Sequence, residues 1–481
     1  MIKKIGMLFL LGICFSNVDS DGSITIQKFG NTIIAYNNYQ KHTLFFTQNA
    51  DTAKTKSVTN IQSETITEKD KPIYLHSELQ SEITNLENES FINISEVESD
   101  ALIVAVIDSG IDLNNNILQP FLYVNPNEIP NNLIDDDNNG FIDDVNGINL
   151  VMNDSPPQDD LGHGTLMAGI IAKNGMGNSR LMPIKAFDSQ GSSSQFAIAT
   201  AINYAVAMGA NVINCSFGYS YYTEVLRLAI ENALDRGIII VASAGNQGKE
   251  QSIYPAAFPG IVAVSALNSS DKLASFSNFG NFISISCIGE DVTSTYLNNQ
   301  YAKTSGTSIS SGYISGIIPY LFKIKNNSNI AQVFSNEAID LRDPLGNGSN
   351  LVGWDKFSGT GKIDLTSFIQ PQASSPNISL QITSLLNYPN PVINTNGTEF
   401  GYYLNQNASV QAKVYSLFGK ELWRTSITSG STGGISGYNK LSFNCYGKNG
   451  MFLPNDTYIV VLYADNGTEK TIARTLFTVS R

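Results

Sequence analysis

The sequence predicts an α/β protein with a doubly wound parallel sheet, preceded by a small module and followed by a β-sandwich. Three observations lead to this prediction. Ala101 to Ile107 is a continuous apolar run, which is typical of a strand covered on both faces. Such runs alternate with helix-spaced segments as far as residue 286, as βαβ units require. Beyond residue 385 the apolar residues alternate with polar ones, which is typical of half-buried strands.

The central elements follow one another as helix and strand. Gly209 is placed to end a first helix, and residues 211–215 form the next strand. Thr223 is predicted to cap a second helix that continues to Arg236, before a buried strand over 238–243. Residues 261–265 and 282–286 complete the predicted sheet, which should bind ligands at the carboxyl ends of its strands. The residues with the helical spacing of the first helix are Ile198, Ile202, Ala205 and Met208.

The C-terminal region is predicted to be a β-sandwich of residues 385–481. Val410, Ala412 and Val414 alternate with polar residues, and Asn466-Gly467 is a strong hairpin signal. Residues 371–384 are predicted to be a linker, because Pro371 to Pro376 has linker composition.

Composition and charge exclude several classes of protein. The 481 residues are 42% hydrophobic and 15% charged, which does not fit a disordered chain or a long coiled coil. The formal charge of 29 − 42 = −13 would repel phosphate backbones, so we set nucleic-acid binding aside. Three cysteines spread over the mature chain are expected to be buried free thiols rather than a disulfide framework, namely Cys215, Cys287 and Cys445.

The N-terminal region is predicted to contain an export signal and a small module. Lys3 and Lys4 precede a short apolar run from Met7 to Phe15, which indicates a secretory signal peptide over residues 1–20. No transmembrane span is expected in the mature chain. Residues 21–98 are polar, and only Ser23 to Phe46 has strand-like content.

Three short motifs in the α/β region suggest acyl-transfer chemistry. Considered one at a time, Asp108 is typical of a turn residue, His163 of a turn between glycines, and Ser308 of a helix cap. The chain has three histidines, and the other two fall in the N-terminal module, so His163 is the one imidazole available. A serine nucleophile needs an imidazole to take its proton and a carboxylate to orient that imidazole. Placed at a strand end and at two helix starts, these residues are expected to meet at one edge of the sheet.

The order and surroundings of these residues resemble the subtilisin-like serine proteases. The separations are 163 − 108 = 55 and 308 − 163 = 145, and the resemblance runs from about Ala101 to Ile369. By this resemblance Asp108, His163 and Ser308 form a catalytic triad, and Asn246 binds the oxyanion. The chain departs from the family's pattern at Leu166, Gly312 and Cys287. The matching motifs are VAVIDSG around the aspartate, GHGTLMAG around the histidine, SGTS around the serine, and ASAGN before the oxyanion residue.

The same resemblance implies the substrate contacts. Two extended edges would pair with the substrate backbone, one formed by Ser216, Phe217 and Gly218 and the other by residues 191–193. Ile253, at the base of the primary pocket, implies a shallow pocket for small or modest apolar side chains. The residues implied to wall this pocket are Ser243, Ala244 and Gly245.

An acidic segment before His163 has the spacing of a calcium loop. Oxygen-bearing residues alternate around Gly140, while Asn146 at the twelfth position is a poorer ligand than the usual acid. A solvated acidic loop is the alternative interpretation. The predicted ligands are Asp135, Asp137, Asn139 and Asp143. No cofactor is expected for catalysis itself.

The terminal modules suggest how the protein is made and exported. Residues 21–98 have the position and size of a prosegment, and residues 99–370 are the predicted catalytic domain. Residues 385–481 resemble the C-terminal sorting domains of type IX secretion and the hook-capping immunoglobulin-like domains, a resemblance carried by the segments NYPNP, VYSLFGK and YIVVL. This resemblance implies the bacterial export machinery as a partner, whereas a generic β-sandwich is the alternative.

The sequence therefore predicts a secreted or surface-attached serine endopeptidase that cleaves proteins or peptides. A catalytically weak or inactive surface-binding protein on the same scaffold is the second hypothesis, and an ester hydrolase is the third. Ser216 is a weaker candidate nucleophile, because the first glycine of a hydrolase elbow is missing from the residues before it.

Overall fold

The computed structural model describes residues 23–29, 32–37, 42–47, 64–75, 82–84, 97–152, 156–325, 330–363 and 380–480, apart from residues 389, 391, 393–396, 418 and 449. The predicted signal peptide and the proline-bounded segment 371–376 lie outside the described residues. In the described part of the chain, no helix combines the length and the apolar character needed to cross a membrane.

The described residues before position 97 form six strands. They are β1 (Ser23–Phe29), β2 (Thr32–Asn37), β3 (His42–Thr47), β4 (Glu64–Lys69), β5 (Pro72–Leu75) and β6 (Glu82–Thr84). The first four form an antiparallel sheet in the order β3-β2-β1-β4. This region is therefore more regular than the polar composition of residues 21–98 suggests.

The central part alternates strands and helices, as predicted. Its strands are β7 (Leu102–Asp108), β8 (Ile148–Asn149), β9 (Ser179–Lys185), β10 (Ser192–Ser194), β11 (Val212–Cys215), β12 (Phe217–Gly218), β13 (Ile239–Ser243), β14 (Val262–Leu267), β15 (Ile285–Ile288), β16 (Val292–Thr295) and β17 (Tyr301–Thr304). Its helices are α1 (His163–Gly175), α2 (Gln195–Ala207), α3 (Glu224–Leu234), α4 (Thr307–Ile324) and α5 (Ile330–Glu337).

Seven parallel strands form the central sheet, in the order β15-β14-β13-β11-β7-β9-β8. Strand β7 shows why its sequence is apolar throughout. Val104 and Val106 join the core cluster that includes α1 and α4, whereas Ala105 and Ile107 join the cluster that includes α2 and α3. Both faces of the sheet are covered, which confirms the predicted α/β fold.

Two predicted elements differ in detail from the structure. The last strand of the sheet begins at Ile285 rather than Phe282, because Ile283 N donates to Gly280 O and closes a turn there. Thr223 stands before α3 as predicted, but its side chain makes no capping hydrogen bond. The carboxylate of Glu68 accepts hydrogen bonds from Glu224 N (3.1 Å) and Val225 N (2.9 Å) and caps the helix instead.

The C-terminal region contains two antiparallel sheets with one apolar core between them, which fits the predicted β-sandwich. Its strands are β18 (Ile382–Tyr388), β19 (Thr398–Leu404), β20 (Ser409–Ser416), β21 (Glu421–Ile427), β22 (Gly437–Phe443), β23 (Asp456–Asp465) and β24 (Lys470–Val479). The predicted hairpin turn at Asn466-Gly467 lies between β23 and β24. Tyr403 Oη donates to Gly260 O (2.6 Å), so the sandwich contacts the α/β region.

The three cysteines of the described residues are buried free thiols, as predicted.

Candidate active site

Asp108 and His163 meet at the carboxyl edge of the central sheet. Asp108 is the last residue of β7 and is fully buried, and His163 is the first residue of α1. The distances from His163 Nδ1 to the two carboxylate oxygens of Asp108 are 2.8 and 2.9 Å. Asp108 Oδ1 also accepts a hydrogen bond from Ser109 N (2.8 Å). The carboxylate therefore fixes the orientation of the imidazole ring.

Glycines let α1 approach the end of β7 this closely. A Cβ atom on Gly164 would lie 1.9 Å from Gly110 O, so no larger residue fits there without moving the backbone. Gly162, the residue before the helix, has φ = 101°, a backbone conformation that residues with a side chain rarely adopt, and a Cβ atom there would lie 2.3 Å from the Tyr296 ring. Close packing at Gly164 and a positive φ at Gly162 thus explain the glycines on both sides of His163.

The electrostatic surroundings of His163 favour its protonated form. Burial alone would lower the pKa of His163, but the adjacent Asp108 carboxylate, and to a lesser extent Asp159, raise it above the usual histidine value. With a proton on Nδ1 facing Asp108, the neutral ring keeps Nε2 as a hydrogen-bond acceptor.

Ser308 lies at the start of a helix beside α1. Gly312 of α4 faces Met167 and Ile170, and one turn later Gly316 faces Ile171. Because contacts advance in the same direction along both helices, α1 and α4 run parallel and their first residues lie at the same end. The structure therefore places Ser308 at the edge of the sheet that holds His163, as the sequence predicts.

The hydroxyl of Ser308 donates its hydrogen bond to a backbone carbonyl. Ser308 is buried, and its Oγ donates to Ser216 O at 3.2 Å. Within the described residues no hydrogen bond joins it to His163. Catalytic hydrogen bonds are often loose in the absence of substrate, and a rotation about χ1 redirects this hydroxyl.

Asn246 follows β13 and is oriented by the residue before Ser308. Thr307 donates to Asn246 Oδ1 twice, from its backbone N (2.9 Å) and from its hydroxyl (2.8 Å). The Thr307 hydroxyl in turn accepts a hydrogen bond from Gly245 N (3.1 Å). Because Oδ1 is turned toward Thr307, the amide nitrogen of Asn246 faces the opposite side. The sequence offered one signal for Thr307, its position directly before Ser308.

The two predicted substrate edges are β10 and β12, and the strand β5 lies between them. Tyr74 pairs with Ser192 on one side and with Gly218 on the other. Leu75 N donates to Gly191 O (2.9 Å). A segment of the chain's own N-terminal region thus occupies the groove between the edges as an antiparallel strand, an arrangement that the sequence did not predict.

The predicted pocket residues divide into two groups. A cavity of about 340 Å³ beside β5 is lined by Gly218, Asn246 and Ile253, together with Gln247 and Lys249. Ser243 and Ala244 are fully buried at the end of β13 and do not line this cavity. Gly245 packs against Ile253, since a Cβ atom there would lie 3.0 Å from Ile253 Cγ1. Ser216 and Phe217 are also buried, with the backbone of Phe217 paired to Leu75.

Two of the predicted calcium ligands accept hydrogen bonds from the backbone of the acidic loop. Asp135 accepts hydrogen bonds from Asn139 N (3.0 Å) and Gly140 N (2.9 Å). Asp143 accepts them from Asn132 N (3.1 Å) and Leu133 N (3.0 Å). Both carboxylates therefore stabilise the backbone of their own loop.

A different set of carboxylates converges beside this loop. Oxygen atoms of Glu128, Asp137 and Asp144 all lie within 4.8 Å of one another. Glu128 is 7% exposed, and its Oε2 is buried without a hydrogen-bond partner. Asp144 is fully buried, and its Oδ2 accepts hydrogen bonds from Tyr204 Oη (2.6 Å) and Asn139 Nδ2 (2.8 Å). Sequence reasoning missed Glu128 and Asp144 as possible ligands.

A parallel α/β sheet with an Asp-His pair and a helix-start serine at its carboxyl edge defines a protein of the subtilisin-like fold. Comparison with known proteins agrees. The family model of the subtilases, peptidase family S8, matches residues 99–354. The chain belongs to the subtilase family.

Several characterised proteases are similar to this chain over its central part. A thermophilic serine proteinase of Bacillus sp. strain AK1 is 35% identical over 268 residues, which are 54% of this chain and 57% of that protein. Thermitase of Thermoactinomyces vulgaris is 33% identical over 227 residues, 45% of this chain and 76% of thermitase. The minor extracellular protease Epr of Bacillus subtilis strain 168 is 39% identical over 171 residues, 34% of this chain and 26% of Epr. The chain thus spans little more than half of the first of these relatives.

Proposed function

We propose that this protein is a serine endopeptidase that cleaves peptide bonds through an acyl-enzyme. The observation that carries the proposal is the two-point contact between His163 Nδ1 and Asp108 (2.8 and 2.9 Å) at the edge where α4 presents Ser308. Membership of the subtilase family and the similarity to named proteases support it.

Each proposed catalytic group has a defined task. His163 Nε2 takes the hydroxyl proton of Ser308 as Oγ attacks the substrate carbonyl carbon, and Asp108 stabilises the imidazolium that forms. The developing oxyanion accepts hydrogen bonds from the Asn246 amide and from Ser308 N. The imidazolium then protonates the leaving amine, and water releases the acyl group by the same steps in reverse order.

Two other hypotheses remain as outcomes of the test. After removal of the N-terminal segment, the protein should hydrolyse casein and react with a fluorophosphonate probe, and Ser308→Ala should abolish both. A folded wild-type protein that does neither once this segment has been removed would indicate a binding protein on a subtilase scaffold. Hydrolysis of simple esters without casein cleavage would indicate the ester hydrolase.

The N-terminal module is proposed to be an inhibitory prosegment. Ile73 and Leu75 of β5 are buried in the groove between β10 and β12, where a substrate backbone is expected to bind. Two acidic side chains anchor the same segment to helix starts. Glu68 caps α3, and Asp70 Oδ1 accepts a hydrogen bond from Phe196 N (3.2 Å) in the first turn of α2. A chain in this state would block its own active site until the segment is removed.

Calcium is proposed as a structural ion, held by Glu128, Asp137 and Asp144 rather than by the full set that the spacing predicts. Three carboxylates and the orphaned Oε2 of Glu128 fit a hard cation that prefers oxygen ligands. Asp144 also accepts a hydrogen bond from Tyr204 of α2, the helix that follows the substrate edge β10. A bound ion would therefore brace this helix against the acidic loop and supply no catalytic group.

Export and attachment are also proposals. The apolar run before residue 20 and the similarity to a protease named as extracellular support secretion. We further propose that residues 385–481 direct sorting or attachment, with a generic accessory sandwich as the alternative. Mass spectrometry of the termini of the exported protein, with and without Ser308→Ala, would show which ends are removed and whether the enzyme removes them itself.

A further inference from the structure

Asp159 is a buried carboxylate four residues before His163 that takes no direct part in the proposed chemistry. It is 4% exposed and accepts hydrogen bonds from two sides of the site. Its Oδ1 accepts from Ser109 Oγ (2.8 Å), Gly162 N (2.9 Å) and Leu161 N (3.0 Å). Its Oδ2 accepts from Thr165 N (2.9 Å) and Thr165 Oγ1 (2.6 Å). Burial raises the pKa of Asp159, and the hydrogen bonds from Gly162, Thr165 and Leu161 oppose that effect by stabilising the carboxylate.

The contacts on Oδ2 complete the start of α1. The residue before the helix is Gly162, which has no side chain to cap it. Thr165 is the third residue of α1, and its N–H is one of the donors that a helix leaves unpaired. Asp159 supplies the missing acceptor and places a negative charge at the positive end of the helix. The first turn, which carries His163, is thereby fixed.

The contacts on Oδ1 connect this turn to the other half of the dyad. Ser109, the residue after Asp108, donates its hydroxyl proton to Asp159 and accepts a hydrogen bond from Gly164 N (2.9 Å). Side-chain hydrogen bonds therefore link the end of β7 to α1, running from Asp159 through Ser109 to Gly164. It acts in addition to the direct contact between His163 and Asp108.

We propose that Asp159 is a positioning residue for catalysis, which holds the end of β7 and the first turn of α1 in one register so that His163 keeps its contact with Asp108. The inference rests on the proposed function of His163 as the catalytic base. It adds a residue that neither the motif spacing nor the pocket implies. An amide at this position cannot replace the carboxylate, because its NH₂ group would face the two donors of Thr165.

The charge of Asp159 also acts on the imidazole. It contributes to the raised pKa of His163, after the larger effect of Asp108. The other ionisable groups around this network are Tyr296, whose pKa is raised by burial and by Asp159, and the Lys185-Asp160 pair. Lys185 Nζ donates to Ser109 O (2.7 Å) and lies 2.5 Å from Asp160 Oδ1. Removing the charge of Asp159 should lower the pKa of His163.

The test compares Asp159→Asn with Asp160→Asn in the full chain. Asp160 is the adjacent, partly exposed aspartate, and without it Lys185 keeps its bonds to Ser109 O and Phe187 O. With a fluorogenic peptide, and with active sites counted by a fluorophosphonate, Asp159→Asn should lower kcat about 10- to 100-fold and change KM less than about threefold. The acidic limb of kcat/KM should move to lower pH. Asp160→Asn should stay within about twofold.

A purely structural role would give a different result. The proposal is overturned if activity falls only in proportion to the number of active sites that the fluorophosphonate counts and the acidic limb of kcat/KM does not move. An unchanged kcat would also overturn it. Should Asp159→Asn fail to fold, Ser109→Ala removes two bonds of the network, the one donated to Asp159 and the one accepted from Gly164 N, and should lower kcat about three- to tenfold. An unchanged kcat would again overturn the proposal.

A readout that needs no turnover separates this proposal from the proposed function. In a chain that carries Ser308→Ala, NMR titration of His163 should give a lower pKa when Asp159→Asn is added. A wild-type protein that stays inactive after its N-terminal segment has been removed would refute the protease, whereas an unchanged histidine titration would refute the role of Asp159.

Discussion

The strand β5 offers a quantitative test of how the proposed cleft is occupied. Ile73 is fully buried between the two substrate edges, whereas Tyr74, the next residue of the same strand, is 56% exposed. Truncating a buried isoleucine to alanine typically costs about 2–4 kcal/mol. Because about 1.4 kcal/mol corresponds to a factor of ten, Ile73→Ala should increase the fraction of molecules with a vacated cleft about 30- to 700-fold.

The assay uses chains that carry Ser308→Ala, which removes self-cleavage. A fluorescein-labelled peptide with the sequence of residues 70–78 competes with β5 for the cleft. The peptide binds only molecules whose cleft is vacated, so its apparent Kd is the intrinsic Kd divided by the vacated fraction. Ile73→Ala should therefore lower the apparent Kd about 30- to 700-fold, until most molecules have a vacated cleft. Circular dichroism checks that the variant remains folded.

Tyr74→Ala is the matched control, because it truncates a large side chain on the same strand but on its exposed face. It should change the apparent Kd by no more than about twofold. Occupation of the cleft by β5 would be refuted if Tyr74→Ala changed the apparent Kd as much as Ile73→Ala does. It would also be refuted if a folded Ile73→Ala chain bound the peptide no more tightly than its parent.

Three further predictions concern the proposed oxyanion residue Asn246, the proposed calcium ion and His163. Asn246→Ala should lower kcat about 100- to 1,000-fold on a fluorogenic peptide with little change in KM, because the lost hydrogen bond forms mainly in the transition state; a rise in KM alone would contradict this role. Asp144→Asn should abolish terbium luminescence sensitised by the nearby Tyr204, while Asp135→Asn should retain it. Loss of luminescence in Asp135→Asn with retention in Asp144→Asn would favour the ligand set that the spacing predicts. The acidic limb of kcat/KM should lie above about pH 6.5, because Asp108 raises the pKa of His163 and the base must be neutral to act. Activity is then lost as the pH falls through that raised pKa. An acidic limb well below pH 6.5 would contradict a raised pKa of His163.

The fold and the placement of Asp108, His163 and Ser308 at one edge of the sheet could be predicted because their signals are local. A buried parallel strand has a continuous apolar run, and the motifs around His163 and Ser308 mark helix starts through their glycines. The topology of a doubly wound sheet then brings strand ends and helix starts to one edge. Asn246 and the edge at Gly218 followed from the family resemblance in the same way.

The acidic loop shows what spacing alone does not reveal. The pattern counts oxygen ligands along the chain, but the turns of this loop leave backbone N–H groups that need acceptors. Asp135 and Asp143 supply such acceptors, and neither belongs to the set of carboxylates that converges in the structure. Glu128, which joins that set, lies outside the pattern, and Asp144 has its orientation fixed by Tyr204 on another element.

The position of β5 depends on contacts between distant parts of the chain. Its four residues carry no pattern that distinguishes a strand in the cleft from a strand in the N-terminal sheet. The deciding contacts come from Gly191 and Gly218, more than a hundred residues later. The same holds for Asp159, whose importance becomes visible only when β7 and α1 are placed side by side.

The central claim, that Ser308 is a nucleophile activated by His163, is tested most directly by locating the adduct of a fluorophosphonate probe. Mass spectrometry of the digested, labelled chain should find the phosphonate on Ser308, and His163→Ala should slow labelling at least 1,000-fold while leaving the chain folded. Labelling of another serine such as Ser216, or labelling of Ser308 at the same rate without His163, would contradict the account.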